Sequence, residues 1–299
     1  MIATRDRLPL LQRVVEAVRS DPATDEVVVV DDGSGDGTAR WLRERPREGP
    51  PLRARRCAGV GAAAARQAGV EAASGELVVL LDDDVLPRPG LVSGHRALLR
   101  EEPARIVVGY IPVRLPDRRG PRDVAAFAYA RDYERRCARW ERGEAPVLHN
   151  LWGGNVGIWR EAALRVGLAA PPFDRPGAFH EDQDFGLRAV RAGLHGVFAR
   201  DLAADHHHRR TPAAALADAE RRGIGAVRVH RRHADLIGPY APAVGLPPLA
   251  GRAALQPTLA AIELTGRLRR WHAQDAGFKL ARRVREQRGA ALALAEGTR

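Results

Sequence analysis

Residues 76–87 constrain the fold of this chain more than any other stretch. Residues 77–81 form an uninterrupted run of five apolar side chains, with a glycine before the run and a proline soon after it. A short apolar run without polar alternation predicts a strand buried on both faces of a sheet. Three carboxylates follow it directly: Asp82, Asp83 and Asp84. Because open parallel sheets bind ligands beyond the carboxyl ends of their strands, we expect a functional site here.

The three carboxylates are a candidate metal site. Like charges this close repel one another and raise one another's pKa. A hard divalent cation relieves the repulsion, since such ions take carboxylate oxygens as ligands. The alternative is an acidic, solvated loop after a core strand, and three consecutive carboxylates favour the functional interpretation.

Strands and helices alternate over the first 110 residues. Pro9 suits the first turn of a helix, and residues 1–7 resemble the end of a strand, so we expect a short first strand. The predicted strands then lie at 26–32, 52–57, 77–81 and 106–110. The predicted helices lie at 8–19, 38–45, 62–73 and 89–100. This alternation predicts an α/β fold with a mostly parallel sheet and helices on both of its faces.

The rest of the chain continues this pattern and then becomes helical. Glycines 153 and 154 indicate a close backbone approach to a ligand or a bulge. We predict a short strand at 195–198. The predicted helices lie at 123–142, 161–166, 181–192, 213–234, 253–273 and 278–292, with a proline-rich break at 239–248.

Bulk composition narrows the class of protein. The chain has 299 residues and 45% apolar side chains, enough for a sizeable core. No run of 18 apolar residues occurs, and residues 1–20 lack an apolar centre, so we expect neither a spanning helix nor a signal peptide. Cys57 and Cys137 are far apart in sequence, which predicts a reduced, cytoplasmic protein without a disulfide framework.

Six short motifs together resemble family 2 glycosyltransferases. They follow one another in the family's order and spacing over about residues 1–210. The motifs are Asp31-Asp32-Gly33-Ser34-x-Asp36-Gly37-Thr38, Arg66-Gln67-x-Gly69, Gly75-Glu76, Asp82-x-Asp84, Gly153-Gly154-Asn155 and Glu181-Asp182. Each motif alone is weak evidence, whereas six in register are strong evidence.

The resemblance implies a GT-A fold and an inverting sugar transfer. The donor would be a UDP-, GDP- or dTDP-sugar, with Mn2+ or Mg2+ as the cofactor. The acceptor would be a hydroxyl group of a glycan, a lipid-linked molecule, a peptide or a small molecule. Residues 1–210 would be the catalytic domain, with a nucleotide-sugar half at 1–110 and an acceptor half at 111–210. Residues 211–299 would form a basic helical extension, which no part of the resemblance covers.

By position, the resemblance also implies the donor-side residues. The nucleoside pocket would be lined by Ala3, Arg5 and Asp32. Asp31 would support that loop, and Arg66 would lie near the diphosphate or the ribose.

The carboxylates after the apolar strand would take part in donor and metal binding. Asp82 would face the ribose or the metal, and Asp84 would ligate the metal. Asp83, the variable middle position, is grouped with the donor-binding residues. His206 would be a further metal ligand, as in some members of the family.

The acceptor side would be built from two later motifs. Asp182 would be the catalytic base, with Glu181 beside it orienting the acceptor. The acceptor pocket would be shaped by Gly153, Gly154 and Asn155. No Gln-x-x-Arg-Trp motif, typical of processive polysaccharide synthases, follows Asp182, so we expect one sugar per encounter.

A dinucleotide-binding oxidoreductase is the alternative enzyme class. Gly59-x-Gly61-x-x-Ala64 fits the loose fingerprint, and Asp82 follows about 20 residues later. Against it, a complete strand–loop–helix unit precedes these glycines, and three carboxylates exceed what one ribose needs.

A non-enzymatic alternative uses the basic C-terminal third. The net charge is +11, and residues 201–299 contain 17 Arg and Lys against 9 Asp and Glu. Aromatic residues are few there, so we expect no nucleic-acid partner. An amphipathic helix could contact anionic lipid at the inner face of the membrane, or it could pack on the catalytic domain. Its residues would be Leu264, Arg267, Leu268, Arg269, Arg270 and Trp271.

Overall fold

The computed structural model describes residues 1–44, 48–208, 210–241 and 255–296. By contacts the chain divides into two compact units. The first contains Met1–Pro112 and Arg136–His207, and the second contains Val113–Arg135 and His208–Arg299. This division runs through the predicted acceptor half, and the catalytic domain at 1–210 stays a prediction.

The first unit is built on an eight-stranded sheet with the order β3-β2-β1-β4-β7-β6-β8-β5. Its strands are β1 (Ile2–Thr4), β2 (Val27–Asp31), β3 (Leu52–Arg56), β4 (Leu77–Asp82), β5 (Val85–Pro87), β6 (Arg105–Tyr110), β7 (Asn155–Trp159) and β8 (His195–His206). Strands β3, β2, β1 and β4 are parallel, as are β6 and β8. Strand β7 runs antiparallel to β4 and β6, and β5 runs antiparallel to β8. The predicted α/β class is confirmed, with a mixed sheet.

The helices that accompany this sheet begin and end within two residues of most predictions. They are α1 (Leu8–Arg19), α2 (Thr38–Glu44), α3 (Ala62–Ala72), α4 (Leu91–Glu101), α5 (Val124–Glu141), α6 (Arg160–Val166) and α7 (Glu181–Arg191). Helix α1 buries Leu11, Val14, Val15 and Val18, which recur at helical spacing. The four valines of β2 are at most 2% exposed. These two elements form because their apolar side chains follow the period of a helix and of a buried strand.

Strand β4 is less buried than its sequence predicted. Val78, Leu80 and Leu81 are at most 5% exposed, but Leu77 and Val79 are half-buried. Both half-buried residues line a cavity beside Met1. Neighbouring structure therefore covers the end of β4 better than its beginning.

Three features of the sheet differ from the sequence prediction. Strand β8 continues to His206, far beyond the predicted end at 198, and β5 and β7 were not predicted. Strand β8 pairs first with β6 and then with β5, in the register Val85↔His206. Arg200 and Asp201 lie in an irregularity between the pairs Gly109↔Ala199 and Tyr110↔Ala203, and their polar side chains do not indicate a strand.

The second unit is helical, as predicted for the C-terminal extension. It contains α8 (Pro212–Arg232), α9 (Ala234–Ile237), α10 (Leu255–Arg267) and α11 (Trp271–Glu296), together with the first part of α5. Its core contains Val124, Ala125, Ala128, Leu216, Ile262 and Phe278. Helices α8 and α11 cross closely at Gly223 and Gly289, where an added Cβ would overlap the backbone of the facing helix.

The single helix predicted at 253–273 is wrong. Helix α10 ends at Arg267 and α11 begins at Trp271, with Arg269 between them at a φ of +54°. The proposed amphipathic helix is therefore interrupted by a turn. Residues 242–248 of the predicted proline-rich break lie outside the described residues. In the described ranges, each helix is too short or too polar to span a bilayer.

Candidate active site

The candidate site lies where several strands of the parallel part of the sheet end. Asp82 is the last residue of β4, and Asp31 is the last residue of β2. Thr4, the last residue of β1, pairs with Asp31. Since parallel strands end at one edge of a sheet, residues far apart in sequence meet here.

Arg66 joins the predicted donor side to the predicted catalytic base. From helix α3, its Nη2 donates to Asp82 Oδ1 at 2.7 Å and its Nη1 donates to Asp182 Oδ1 at 3.1 Å. Its side chain is only 12% exposed. The other carboxylate oxygen of Asp182 accepts a hydrogen bond from the Gly153 backbone N–H at 2.9 Å. Four predicted site residues are thus in direct contact.

Two glycines allow this close approach. A Cβ at Gly153 would lie 2.7 Å from both carboxylate oxygens of Asp182. A Cβ at Gly154 would lie 2.9 Å from Asp82 Oδ2, and Gly154 has a φ of +104°. Both distances are shorter than a side chain tolerates, so these positions require glycine. The backbone here approaches carboxylates of the chain itself, and the predicted approach to a ligand stays a prediction.

Asn155 follows this glycine pair and holds it in place through hydrogen bonds of its buried side chain. It is 1% exposed, and its Nδ2 donates to the Leu202 carbonyl at 2.9 Å. Its Oδ1 lies 2.7 Å from Nε2 of His95, which is fully buried on α4. Burial lowers the pKa of His95 to about 4, and the hydrogen bond to Asn155 Oδ1 opposes this shift. His95 was not predicted as a site residue, because an isolated histidine in a helical pattern carries no local signal.

Glu181 and Asp182 open helix α7 side by side. Burial and the charge of Asp182 raise the pKa of Glu181 to about 7, while Arg66 opposes the rise. Burial also raises the pKa of Asp182, although Arg66 and the Gly153 N–H favour its ionised form. The third acid of this helical turn, Asp184, is fully buried and pairs with Arg188 at 2.8 Å. Asp184 therefore stabilises the helix, whereas Glu181 and Asp182 face a cleft.

The cleft beside these residues has about 370 Å³ of space outside the protein atoms, including space that is open to solvent. Its polar lining comes from Arg66, Glu181 and Asp182, and Phe185 and Leu168 contribute apolar surface. Such a combination of a few polar groups with apolar walls is typical of ligand sites.

Arginines compensate the three consecutive carboxylates. Arg7 Nη1 lies 2.9 Å from Asp83 Oδ1 and 2.5 Å from Asp84 Oδ2. Thr4 Oγ1 donates to the other oxygen of Asp83 at 2.7 Å. Burial raises the pKa of Asp83 to about 6, with Arg7 and Thr4 opposing the rise. The repulsion from which we predicted a metal is therefore relieved in part by side chains of the chain itself.

Asp84 and His206 are the predicted metal ligands that the structure brings together. His206 Nε2 lies 3.6 Å from Asp84 Oδ1, and both side chains are nearly buried. Two ligand atoms each about 2.1 Å from one ion lie about 3–4 Å apart, so this pair fits a shared cation. Asp82, the third predicted ligand, is bonded to Arg66. No group of three or more His, Cys, Asp or Glu in the described part of the chain is arranged to hold a metal.

Asp31 and Asp32 organise the loops of the predicted nucleoside pocket. Asp32 accepts hydrogen bonds from the backbone N–H groups of Val60 at 2.7 Å and Gly61 at 2.9 Å. Asp31 accepts one from the Ser34 N–H at 2.8 Å. Two residues of the dinucleotide fingerprint, Val60 and Gly61, are thus bonded to a carboxylate.

The other two predicted pocket residues lie at the same edge of the sheet. Ala3 lies in β1, in register with Val30 on one side and Asp82 on the other. Arg5 is 56% exposed, and its Nη1 would lie 3.3 Å from a Cβ added at Gly59. Ala3 and Arg5 therefore lie beside the loops that Asp31 and Asp32 hold.

Comparisons with known proteins agree with this arrangement. The family model described as Glycosyl transferase family 2 matches residues 1–167. The dodecaprenyl-phosphate galacturonate synthase of Rhizobium johnstonii is 35% identical over 104 residues, which are 34% of this chain and 31% of that protein. The match thus spans about a third of this curated relative.

Solved structures resemble the chain over most of its length. The mannosyltransferase PcManGT from Pyrobaculum calidifontis, in complex with GDP-Man and Mn2+, has a TM-score of 0.56 and 21% identity over 95% of this chain and 85% of that one. S. aureus TarS 1–349 has a TM-score of 0.53 and 14% identity over 99% and 90%. Its complex with UDP-GlcNAc has a TM-score of 0.52 and 15% identity over the same shares. This likeness confirms the predicted GT-A fold.

Proposed function

Because this chain belongs to glycosyl transferase family 2, we propose that it moves a sugar from a nucleoside diphosphate to an acceptor hydroxyl with inversion at the anomeric carbon. The observation that carries the proposal is the pair of bonds from Arg66 to Asp82 and Asp182. Through these bonds, one arginine side chain links the end of β4 to Asp182. The donor's phosphates and ribose would lie at the end of β4, and Asp182 is a carboxylate that can act as a base. A dinucleotide-binding oxidoreductase is not proposed, because family membership identifies a transferase.

Asp182 is the proposed base. An acceptor hydroxyl is a weak nucleophile until its proton is removed, and a carboxylate within hydrogen-bond reach can remove it. Asp182 is held by Gly153 and Arg66 and remains 29% exposed to the cleft. The positive charge of Arg66 favours the ionised form that a base needs. Glu181, beside it, would orient the acceptor through a hydrogen bond.

Inversion would follow from a single displacement, in which the acceptor oxygen bonds to the anomeric carbon as the bond to the diphosphate breaks and Asp182 takes the hydroxyl proton. Retaining glycosidases use a second carboxylate as a nucleophile, about 5 Å from the acid. Here Asp82, the other carboxylate that Arg66 binds, is assigned to the donor side. One attack by the acceptor oxygen, on the face opposite the leaving diphosphate, inverts the anomeric carbon. The lack of a processive motif after Asp182 supports a single transfer per encounter.

Asp84 and His206 are the proposed ligands of a Mn2+ or Mg2+ cofactor. Such an ion, when bound, stabilises the negative charge that develops on the departing diphosphate. The 3.6 Å separation of the two ligand atoms supports this assignment. The presence of Mn2+ with GDP-Man in the PcManGT complex supports it as well.

The donor's nucleoside would lie against Ala3, Arg5, Asp31 and Asp32. Asp31 and Asp32 would hold the loops at 33–34 and 60–61, and Arg5 would lie along the pocket. Asp83 would act indirectly, because its oxygens are bonded to Thr4 and Arg7. Relatives of similar fold are solved with GDP-Man and with UDP-GlcNAc, which supports a nucleotide sugar as the donor class.

The acceptor is proposed to be lipid-linked. The curated relative is a dodecaprenyl-phosphate galacturonate synthase, whose name describes a lipid phosphate carrying a sugar. Gly153 and Gly154 would shape the acceptor side of the cleft, with Asn155 holding them in place. A lipid-linked acceptor would put the reaction at a membrane surface, which agrees with the predicted peripheral location.

A basic and apolar turn in the second unit suits contact with such a membrane. Leu264 and Leu268 are 57% and 58% exposed. Exposed arginines surround them at positions 267, 269 and 270. Exposed leucines among basic side chains favour an interface with anionic lipid.

The lipid contact is tested by flotation with phosphatidylglycerol-containing and phosphatidylcholine vesicles. Replacement of both Leu264 and Leu268 by serine should reduce flotation with anionic vesicles, whereas Leu292→Ser, at another exposed leucine, should not. Equal flotation of both variants would contradict the lipid contact without affecting the proposed transfer.

Calorimetry tests donor binding, and a product assay tests the transfer itself. UDP-, GDP- and dTDP-sugars are titrated with and without Mn2+, and released nucleoside diphosphate is then followed with a lipid-linked sugar as the acceptor, because that sugar supplies the hydroxyl that Asp182 would deprotonate. We expect one nucleotide class to bind in the presence of Mn2+. Failure of all three to bind would overturn the proposed function.

A further inference from the structure

Arg7 contacts two of the three consecutive carboxylates from the loop after β1. One nitrogen of its guanidinium lies 2.9 Å from Asp83 and 2.5 Å from Asp84. Arg66 compensates the remaining carboxylate, Asp82, at 2.7 Å. Each of the three acids is therefore within ion-pair distance of an arginine in the free protein.

We propose that Arg7 weakens divalent-cation binding in the free protein, so that the cation is held tightly only together with the donor's diphosphate. This inference rests on the proposed function, which assigns the cation to Asp84 and His206. It gives Arg7 a role in the order of binding, beyond the contacts assigned to the donor and the cation.

The contact of Arg7 with Asp84 carries the argument. A cation on Asp84 would lie close to a guanidinium that touches the same carboxylate, and like charges at such distances repel strongly where water is partly excluded. Asp84 is 11% exposed and Asp83 is 8% exposed, so solvent screens this repulsion poorly. A diphosphate would add negative charge beside the cation and offset the repulsion.

Asp83 and Thr4 keep Arg7 in this position. Asp83 accepts from Thr4 Oγ1 with one oxygen and from Arg7 with the other. Thr4 is itself 3% exposed at the end of β1. Asp83 thereby acts as a positioning residue for Arg7. The Arg7 side chain is 41% exposed, so it has room to move away when a cation and a diphosphate arrive.

The experiment measures Mn2+ binding by electron paramagnetic resonance, with Mn2+ alone and with Mn2+ plus UDP or GDP. The variants are Arg7→Met, which removes the charge, and Arg7→Lys, which keeps it. Arg40→Met is the matched control, because Arg40 is 77% exposed and pairs with Glu44 on helix α2. Thermal unfolding followed by circular dichroism verifies that each variant is folded, and Arg7→Gln serves as a second neutral variant.

We expect Arg7→Met and Arg7→Gln to bind Mn2+ alone at least about tenfold more tightly than the wild type, as removal of a nearby like charge predicts. Arg7→Lys and Arg40→Met should stay within about threefold of the wild type, and added nucleotide should reduce the advantage of Arg7→Met. Unchanged or weaker Mn2+ binding by both neutral variants would overturn the inference, as would an equal gain for Arg7→Lys. These results leave the proposed function intact if the wild type binds UDP or GDP, whereas the lack of any nucleotide binding would contradict that function.

Discussion

Arg66 donates a hydrogen bond to Asp182 at 3.1 Å, although 116 positions separate the two residues in sequence. The same guanidinium bonds Asp82 at 2.7 Å. A buried cation between two acids holds them near each other and offsets their repulsion. The motifs predicted to bind the donor and the acceptor therefore meet at one side chain.

Replacement of Asp182 by asparagine tests its role as the base. An amide cannot take the proton of the acceptor hydroxyl, so we expect turnover to fall about 10²–10⁴-fold. Donor binding, measured by calorimetry, should change by only a few-fold. Glu161→Gln, at an exposed acid in the first turn of α6, is the control. An Asp182→Asn enzyme that keeps wild-type turnover would show that another group takes the proton.

Replacement of Arg66 by methionine should reduce both turnover and stability. It leaves Asp82 and Asp182 near each other without their shared counter-charge. Removing one partner of a buried pair costs about 3–5 kcal/mol, and we expect about 1–3 kcal/mol here because the two acids keep some solvent contact. Thermal or denaturant unfolding measures this loss. Arg55→Met is the control, because its partner Glu71 is 49% exposed, and equal losses in both variants would argue against a special role for Arg66.

Gly153→Ala should impair catalysis through the position of Asp182. The new Cβ would lie 2.7 Å from both carboxylate oxygens, so the acid must shift. Misplacement of a reacting group by about 1 Å can cost about 10²-fold in rate. Gly277→Ala is the control, because its Cβ would meet only Ile262, at 3.9 Å. Steady-state kinetics of the two variants decide the matter, and a fully active Gly153→Ala enzyme would mean that the loop adapts without loss.

Glu181 should make stability depend on pH. Its pKa is raised from 4.5 to about 7 by burial and by Asp182. The folded state then holds the proton more tightly than the unfolded state, so this group's contribution falls as the pH rises from about 4.5 through 7. Glu181→Gln removes the buried charge and should raise the unfolding midpoint by roughly 2–4 °C at pH 8.

At pH 4.5 the same variant should differ little from the wild type, because the folded protein already holds the proton there. Differential scanning calorimetry at both pH values measures the change. A stabilisation that is equal at pH 4.5 and pH 8 would mean that the charge of Glu181 is not its cause.

His206→Ala should weaken the activation of turnover by Mn2+ more than His207→Ala does. His206 Nε2 lies 3.6 Å from Asp84, whereas His207 contacts Asp84 through its backbone N–H, which alanine keeps. Loss of one protein ligand should raise the Mn2+ concentration for half-maximal activity about 10–100-fold, as seen for the loss of groups that support a metal site. The activity is titrated with Mn2+ for both variants, and indistinguishable curves would remove His206 from the proposed ligands.

Local patterns were sufficient to predict the first strands and helices. Strand β2 is a run of four valines, and α1 repeats its apolar residues at helical spacing, so short-range preference and burial agree. The positions of Asp82, Asp83 and Asp84 after β4 followed from the same kind of pattern. Strands β5 and β7 and the end of β8 did not, because their extended form depends on neighbours that are distant in sequence.

The sequence by itself determined the first four strands, most of the helices and the residue types at their ends. Only the tertiary structure decided that Arg7 and Arg66 neutralise the carboxylates, that Asp182 lies against Gly153, and that His95 supports Asn155. The physical reason is that the period of about 2 residues in a strand and about 3.6 residues in a helix can be recognised from side chains that are close in sequence. An ion pair or a buried hydrogen bond between elements depends on how those elements pack, and the spacing of residues within one element does not indicate that packing.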